Sequence, residues 1–298
     1  MAQLKVIVNK LNKRSSIPAS FSDKNIIGIV QKGYLFEGIE ARENISSSIG
    51  KWYVDRDGYY YWSGGLQVFD IPLGISVNIK NLPINLPFPY RAGIDISHYN
   101  SLPDWTAIKN AGVSFVYIKL SEGVGTPDVR AKENALKAKQ NNFRIGYYHF
   151  CRPDTRNGGT VESDATAEAD EALKRMSFIT KPDLPLVLDL EDQQSWDTSL
   201  NSSQYLIWIN IFIQQICEKS GGTCMIYSRK NYLDEHLPAK HDLGKIKLWI
   251  SKYSTNDCKD VKCPVGWSDW AMWHYCKDGI IGDNSKLDIN ILKDKSLF

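Results

Sequence analysis

Leu184-Pro185-Leu186-Val187-Leu188-Asp189-Leu190-Glu191-Asp192 is an apolar run of strand character that ends in acids. Side chains alternate faces along a strand, so Val187, Asp189 and Glu191 share one side while Leu188 and Leu190 take the other. A buried strand rarely carries two acids on one face unless they are paired or used, because an unpaired charge is costly to bury. Carboxyls two residues apart, with α-carbons ~6.5 Å from each other, can both reach one linkage. One protonates a leaving oxygen and the other stabilises a developing cation, which is what breaking a glycosidic bond needs. The bland alternative is a strand whose acidic end spills into a solvated loop.

Outward from this strand, segments 91–97, 114–120 and 144–150 also read as strands. Segments 129–141 and 162–179 carry alanines and charges at helical spacing, and 203–220 is an apolar-faced helix that Gly221-Gly222 stops. After it the helices disappear, and 224–227, 247–253, 270–275 and 287–292 follow as strands. This pattern predicts an α/β fold over residues 91–298, an irregular (β/α)8-type barrel with helices missing in its last part.

Residues 1–70 have a different character: short β-rich runs at 5–8, 26–30, 34–39, 51–54 and 59–62. Asp55-Arg56-Asp57-Gly58 between the last two is a hairpin turn signal. A small N-terminal all-β barrel domain is expected there. Pro72, Pro83, Pro87 and Pro89 make residues 71–90 an extended, semi-rigid linker whose apolar content suits lying against a domain.

Composition excludes several function classes. A net charge of +2 argues against nucleic acid held by bulk charge. No apolar run approaches the ~18 residues of a membrane span; segment 206–213 is short and contains Asn210. The N-terminus lacks a secretory signal, so synthesis in the cytoplasm is expected, with release or delivery before any action outside. The six cysteines are expected as free thiols, although Cys258 with Cys263 and Cys217 with Cys224 are near enough in sequence to bridge. No Cys-x-x-Cys occurs and the five histidines are scattered, so neither a metal nor a cofactor is expected. Nine Trp and fifteen Tyr are a rich supply of faces for cores or sugar stacking.

The second domain resembles the lysozymes of glycoside hydrolase family 25 from about residue 92 to 292. The resemblance rests on Gly93-Ile-Asp95-Ile-Ser97, Trp105, Gly112 to Gly123, Arg144 to Phe150, Asp189-Leu-Glu191, Leu248-Trp249-Ile-Ser-Lys-Tyr253, Trp273-His274-Tyr275 and Leu287-Asp288-Ile-Asn290. Each motif is weak alone; their order and spacing are specific. The resemblance implies hydrolysis of the β-1,4 bond between N-acetylmuramic acid and N-acetylglucosamine in peptidoglycan glycan strands. It implies Glu191 as general acid, Asp189 as the neighbouring carboxylate, and Asp95 and Asp288 as the other acids of the cleft. The chain departs from the family pattern at Leu120-Ser121-Glu122-Gly123 and at His274, which stands where Gln is common and bears on sugar contacts or pH response.

Crowded carboxylates raise at least one pKa, which keeps an acid protonated near neutral pH, and Glu191 is the expected group. Substrate assistance by the sugar's acetamido oxygen, a direct nucleophile and an inverting water all remain open. Tyr148, Trp249, Trp273 and Tyr275 are candidate sugar-stacking residues, weighed against packing in the core. Glu122 reads as an ion-pair partner of Lys119, His149 as structural, and Asp128 and Asp192 as solvated loop acids. The segment 11–15, the Gly33 turn, Trp52-Tyr53 and the closing aromatic strand resemble a bacterial Src-homology-3-like module, which implies binding of cell-wall peptides; the loop 41–50 is long for one. A phage endolysin and a payload of a contractile injection apparatus both fit. The alternatives are a chitin-type N-acetylglucosaminidase and an inactive wall-binding protein.

Overall fold

The computed structural model describes residues 2–20, 22, 24–41, 50–55, 57–69, 91–100, 103–193, 200–253, 258–282, 284–293 and 295–297. The chain forms two units, Met1–Ser76 and Val77–Phe298. The expected linker at 71–90 and most of the long loop at 41–50 lie outside the described residues.

The first unit is a seven-stranded sheet of β1 (Ala2–Val6), β2 (Lys10–Arg14), β3 (Ile26–Gln31), β4 (Leu35–Glu40), β5 (Trp52–Asp55), β6 (Tyr60–Trp62) and β7 (Leu66–Phe69). Their order is β3-β2-β6-β5-β4-β1-β7, with every pairing antiparallel. Leu4, Val6, Leu11, Tyr61 and Leu66 form its core. The hairpin at Asp55 is built as its turn residues require. Asp55 Oδ1 accepts from the backbone N–H groups of Asp57 and Tyr59, and Gly58 takes a φ of +80°. Asp55 Oδ2 also accepts from the Tyr61 hydroxyl at 2.8 Å, which ties the turn to the core.

In the second unit the elements run β8 (Arg91–Ile96), α1 (Trp105–Asn110), β9 (Phe115–Glu122), β10 (Thr126–Pro127), α2 (Ala131–Gln140), β11 (Arg144–Phe150), α3 (Val161–Ser177), β12 (Leu186–Asp189), α4 (Ser202–Ser220), β13 (Cys224–Arg229), α5 (Lys230–His236), β14 (Lys247–Ser251), β15 (Met272–Ile281) and β16 (Asn284–Leu292). The sheet order is β10-β9-β11-β12-β13-β14-β15-β16-β8, and a further β8–β9 pairing closes it into a barrel. Pairings from β8 through β9 and β11 to β15 are parallel, whereas β16 runs antiparallel to both its neighbours.

Alternation along the strands divides the apolar residues into two layers. Phe115, Tyr117, Val187, Met225, Trp249 and Met272 fill the barrel interior. Ile94, Val116, Leu186, Leu188, Leu248 and Ile250 face outward, against Ala135, Ala169, Trp208 and Phe212 of the helices. Glycines occur where interior rings come close: a Cβ on Gly93 would stand 2.2 Å from the Phe115 ring, and one on Gly146 would stand 2.3 Å from Tyr117.

Helix ends follow the sequence signals. Asn201 caps α4 with Gln204 in a reciprocal capping box, and Gly221 stops it in the left-handed conformation with φ +64°. Two short helices correct the expected pattern. α1 was not anticipated, and α5 follows β13 where helices were expected to be missing. With only Ile108 buried in α1, and Tyr232 and Leu233 in α5, neither offers enough turns for a periodic signal. The strand expected at 184–191 is also shorter: β12 ends at Asp189, and Glu191 lies two residues beyond it.

Candidate active site

The C-terminal ends of the parallel strands open on a groove of about 640 Å³. Asp95, Asp189, Glu191 and Asp288 all line it, so the fold brings together four acids distant in sequence. Asp95 is the fifth residue of β8 and Asp189 the last of β12. Asp288 reaches the same end by another route. It is the middle residue of β16, and because that strand runs backwards, it lies opposite Asp95 near the end of β8. Asp288 and Glu191 thus reach the groove without ending a barrel strand.

Glu191 is held by the backbone just before it. Leu190 is buried on the opposite face, its N–H donates to the Tyr227 carbonyl at 3.0 Å, and its carbonyl accepts from Ser228 Oγ at 2.5 Å. Asp189 is 5% exposed, and its Oδ1 has no hydrogen-bond partner among the described residues. Burial, followed by the charge of Glu191, pushes its carboxyl well above the usual carboxylate range, against the pull of Lys119. Burial also raises Glu191, opposed by His274 and Arg229. Asp95 is pushed up to about 7 by burial and then by the facing charge of Asp288. A carboxyl whose pKa is raised keeps its proton to higher pH, which is what an acid-catalysed glycosidic cleavage draws on.

A hydrogen-bonded frame supports the acids. Trp249 Nε1–H donates to Asn290 Oδ1 at 2.9 Å, which orients the amide so that Nδ2 donates to Asp95 Oδ2 at 2.7 Å. His274 Nε2 faces the Cys276 carbonyl and Asp288 Oδ1, both at 3.1 Å; a carbonyl only accepts, so Nε2 carries the proton. Its Nδ1 meets the Tyr227 hydroxyl at 3.0 Å and that of Tyr253 at 3.3 Å. Burial works against charge on this imidazole, but the bond to Asp288 and the charges of Asp95 and Asp288 prevail and raise its pKa.

The aromatic candidates divide. Tyr148 and Trp249 line the groove. Trp273 and Tyr275 do not: they point outward from β15 into the layer under the helices, and Trp273 Nε1 donates to the Lys252 carbonyl. Their expected stacking on sugar is corrected by the two-residue alternation, which turns His274 inward and both its neighbours out. Tyr99, Phe150, Tyr227 and Tyr253 line the groove without having been picked out. Tyr227 had a legible signal, since it shares the inward face of β13 with Met225; Tyr99 and Tyr253 follow strand ends, where alternation carries no information.

Of the remaining acids, Glu122 binds Lys119 Nζ at 2.6 Å and pairs with Arg152. These partners outweigh burial and lower its pKa. His149 is sealed between Ser121 Oγ at 2.9 Å and Glu168 Oε2 at 3.0 Å, behind the groove. Asp192 is exposed and pairs with Arg229. Asp128 is not a solvated loop acid: it is buried, binds His98 Nδ1 at 2.7 Å and accepts from the Arg130 N–H. All six cysteines are free thiols. Among the described residues no helix is long and apolar enough to cross a membrane.

Known proteins match this barrel. Lysozyme M1 of Streptomyces globisporus is 28% identical over 193 residues, which is 64% of this chain and 63% of that protein. The chain therefore spans less than two thirds of that relative. An N,O-diacetylmuramidase of Arthroderma benhamiae is 27% identical over 200 residues, covering 65% of this chain and 80% of the relative. The crystal structure of the bacterial lysozyme from Streptomyces coelicolor superposes with a TM-score of 0.60 at 27% identity, covering 68% of this chain and 92% of that one. The model of the family glycosyl hydrolases family 25 matches residues 94–284, from within β8 to the first residue of β16. The chain belongs to glycosyl hydrolases family 25.

Proposed function

We propose that the chain is a muramidase, hydrolysing the β-1,4 bond between N-acetylmuramic acid and N-acetylglucosamine in peptidoglycan. The observation that carries this reading is the pair Asp189 and Glu191 in one acid-lined groove, both with raised pKa values. Relatives named lysozyme and N,O-diacetylmuramidase support it. Glu191 is the general acid that protonates the leaving oxygen, and Asp189 steadies the positive charge that develops on the sugar or on its acetamido group. Asp95 and Asp288 hold the sugar from the opposite wall. Tyr148 and Trp249 supply its aromatic contacts.

The N-terminal sheet serves as a wall-targeting module of Src-homology-3-like type that binds wall peptides. The protein reaches the wall as a phage endolysin or as the payload of an injection apparatus. Clearing of purified cell wall, followed by mass spectrometry of the products, tests the activity. New reducing ends on N-acetylmuramic acid are expected. New N-acetylglucosamine ends from chitin oligomers, with intact wall, would overturn the assignment. Retention of the product anomer separates substrate assistance or a direct nucleophile from an inverting water.

A further inference from the structure

The histidines are scattered in the sequence, yet the fold carries one of them to the mouth of the barrel beside two aspartates. We propose that Asp95, His274 and Asp288 form a binding site for a zinc-class divalent cation, and that the bound cation shuts the groove.

One donor atom from each of the three residues lies within 4.8 Å of the others. Tetrahedral zinc, with bonds of about 2.1 Å, needs donors roughly 3.4 Å apart, so the side chains close by at most about 1.4 Å. The backbone frame suits this movement. Asp95 and Asp288 are direct partners across the β8–β16 ladder, and His274 is the partner of Asn290 on the next face-sharing rung. The donor set is imidazole plus two carboxylates, which suits zinc and its neighbours better than magnesium or calcium. Two carboxylates and a neutral imidazole also balance the charge of a divalent ion.

The surrounding contacts are those a metal site requires. Asp95 is nine-tenths buried, and Asn290 occupies its Oδ2, while its Oδ1 takes no hydrogen bond among the described residues. His274 Nδ1 already sits at the hydroxyls of Tyr227 and Tyr253. On binding, Nε2 gives up its proton and coordinates through the lone pair that remains. Nδ1 carries the ring's single proton and donates it to a phenol oxygen, whose own hydrogen rotates away. If the ring begins as imidazolium, one proton leaves to solvent, and a proton held on the Asp95 carboxyl leaves with it. The half-buried Asp288 carboxylate supplies the entry path. The other comparable cluster, His149 with Cys151 and Glu168, lacks an entry path, because all three residues are fully buried.

That the cation silences the enzyme rests on the muramidase reading; that it binds does not. The experiment therefore reads binding and lysis separately on the full chain. Cobalt(II) is the optical probe and zinc the calorimetric titrant, with His274→Gln and Asp288→Asn as variants checked for folding by circular dichroism. Visible ligand-field bands at a 1:1 ratio are expected in the natural chain, with a loss of affinity of at least ~10-fold in each variant. Zinc should stop wall clearing, and a chelator should restore it. The absence of bands and heat in the natural chain, or an affinity in both variants unchanged from that of the natural chain, overturns the site. Bands in a protein that clears no wall leave the metal site standing and remove the muramidase reading. Clearing that zinc does not slow, despite 1:1 binding lost in the variants, overturns the shutting role.

Discussion

Asp288 on β16 lies directly across the strand ladder from Asp95 on β8, so two carboxylates face each other on a single rung. Like charges so placed repel. Asp95 meets the cost by keeping its proton up to about 7, through burial first and Asp288 second. Its folded pKa lies above its unfolded value, so the folded chain binds the proton more tightly and stability falls as pH rises from about 4 through about 7. Asp288→Asn removes the second cause and leaves the first. The carboxyl ¹³C titration of Asp95 should keep a raised midpoint but move down by about one unit. An unchanged midpoint would show that the facing charge plays no part.

Glu191→Gln keeps the size of the side chain and removes the proton that the proposed general acid would donate. Wall clearing should drop by about 100- to 10,000-fold, the range that general acid catalysis supplies. Co-sedimentation with intact wall should stay unchanged, because nothing in the substitution alters the groove's shape. Undiminished clearing would assign the acid to another carboxyl, with Asp189 the first to test.

Asp189 has one carboxyl oxygen buried with no partner among the described residues. Its raised pKa means that stability is lost as pH rises from the unfolded value through the folded one. Asp189→Asn cannot ionise, so that loss disappears. The variant should be inactive yet melt a few degrees higher at pH 7, with the gain vanishing near pH 3. A lower melting temperature at both pH values would mean that the natural carboxylate is satisfied by a contact the amide cannot make.

How much of this was legible follows from where period-two alternation applies. Val187 and Asp189 on one face and Leu186 and Leu188 on the other were readable, because β12 is regular to its end. The same rule would have turned Trp273 and Tyr275 outward, had His274 been taken as the inward residue of β15. Asp288 could be recognised as a site acid, but its position required knowing that β16 runs antiparallel, which a strand pattern does not encode. The frame of Asn290 and Trp249, 41 residues apart, is set by barrel closure and has no local signature. Asp128 read as a loop acid because its partner His98 lies 30 residues away.

Gly93 leaves room for the Phe115 ring in the barrel, two residues before Asp95. A methyl group there meets three ring atoms at 2.2 to 2.5 Å. The ring or β8 must move, and overpacking of this kind costs about 1–3 kcal/mol. Gly93→Ala should lower the urea midpoint accordingly and depress clearing through displaced Asp95. Phe115→Leu in the same chain should recover part of both losses. Failure of that second substitution to help would place the strain elsewhere.

Glu168 on α3 is fully buried and holds two donors at once, the His149 ring at 3.0 Å and the Arg152 N–H at 3.0 Å. His149 follows Tyr148 on β11, so the contact fixes the strand that presents a groove aromatic. Glu168→Ala leaves a buried imidazole and a backbone N–H without an acceptor, which costs about 3–5 kcal/mol. Glu168→Gln keeps a carbonyl for one of the two donors and should cost about 1–2 kcal/mol. Urea unfolding of both variants measures the difference. The alanine variant should also raise KM more than it lowers kcat, since Tyr148 is loosened while Glu191 stays in place. Equal losses in the two variants would show that the Glu168 charge, rather than its acceptor oxygens, holds α3 to β11.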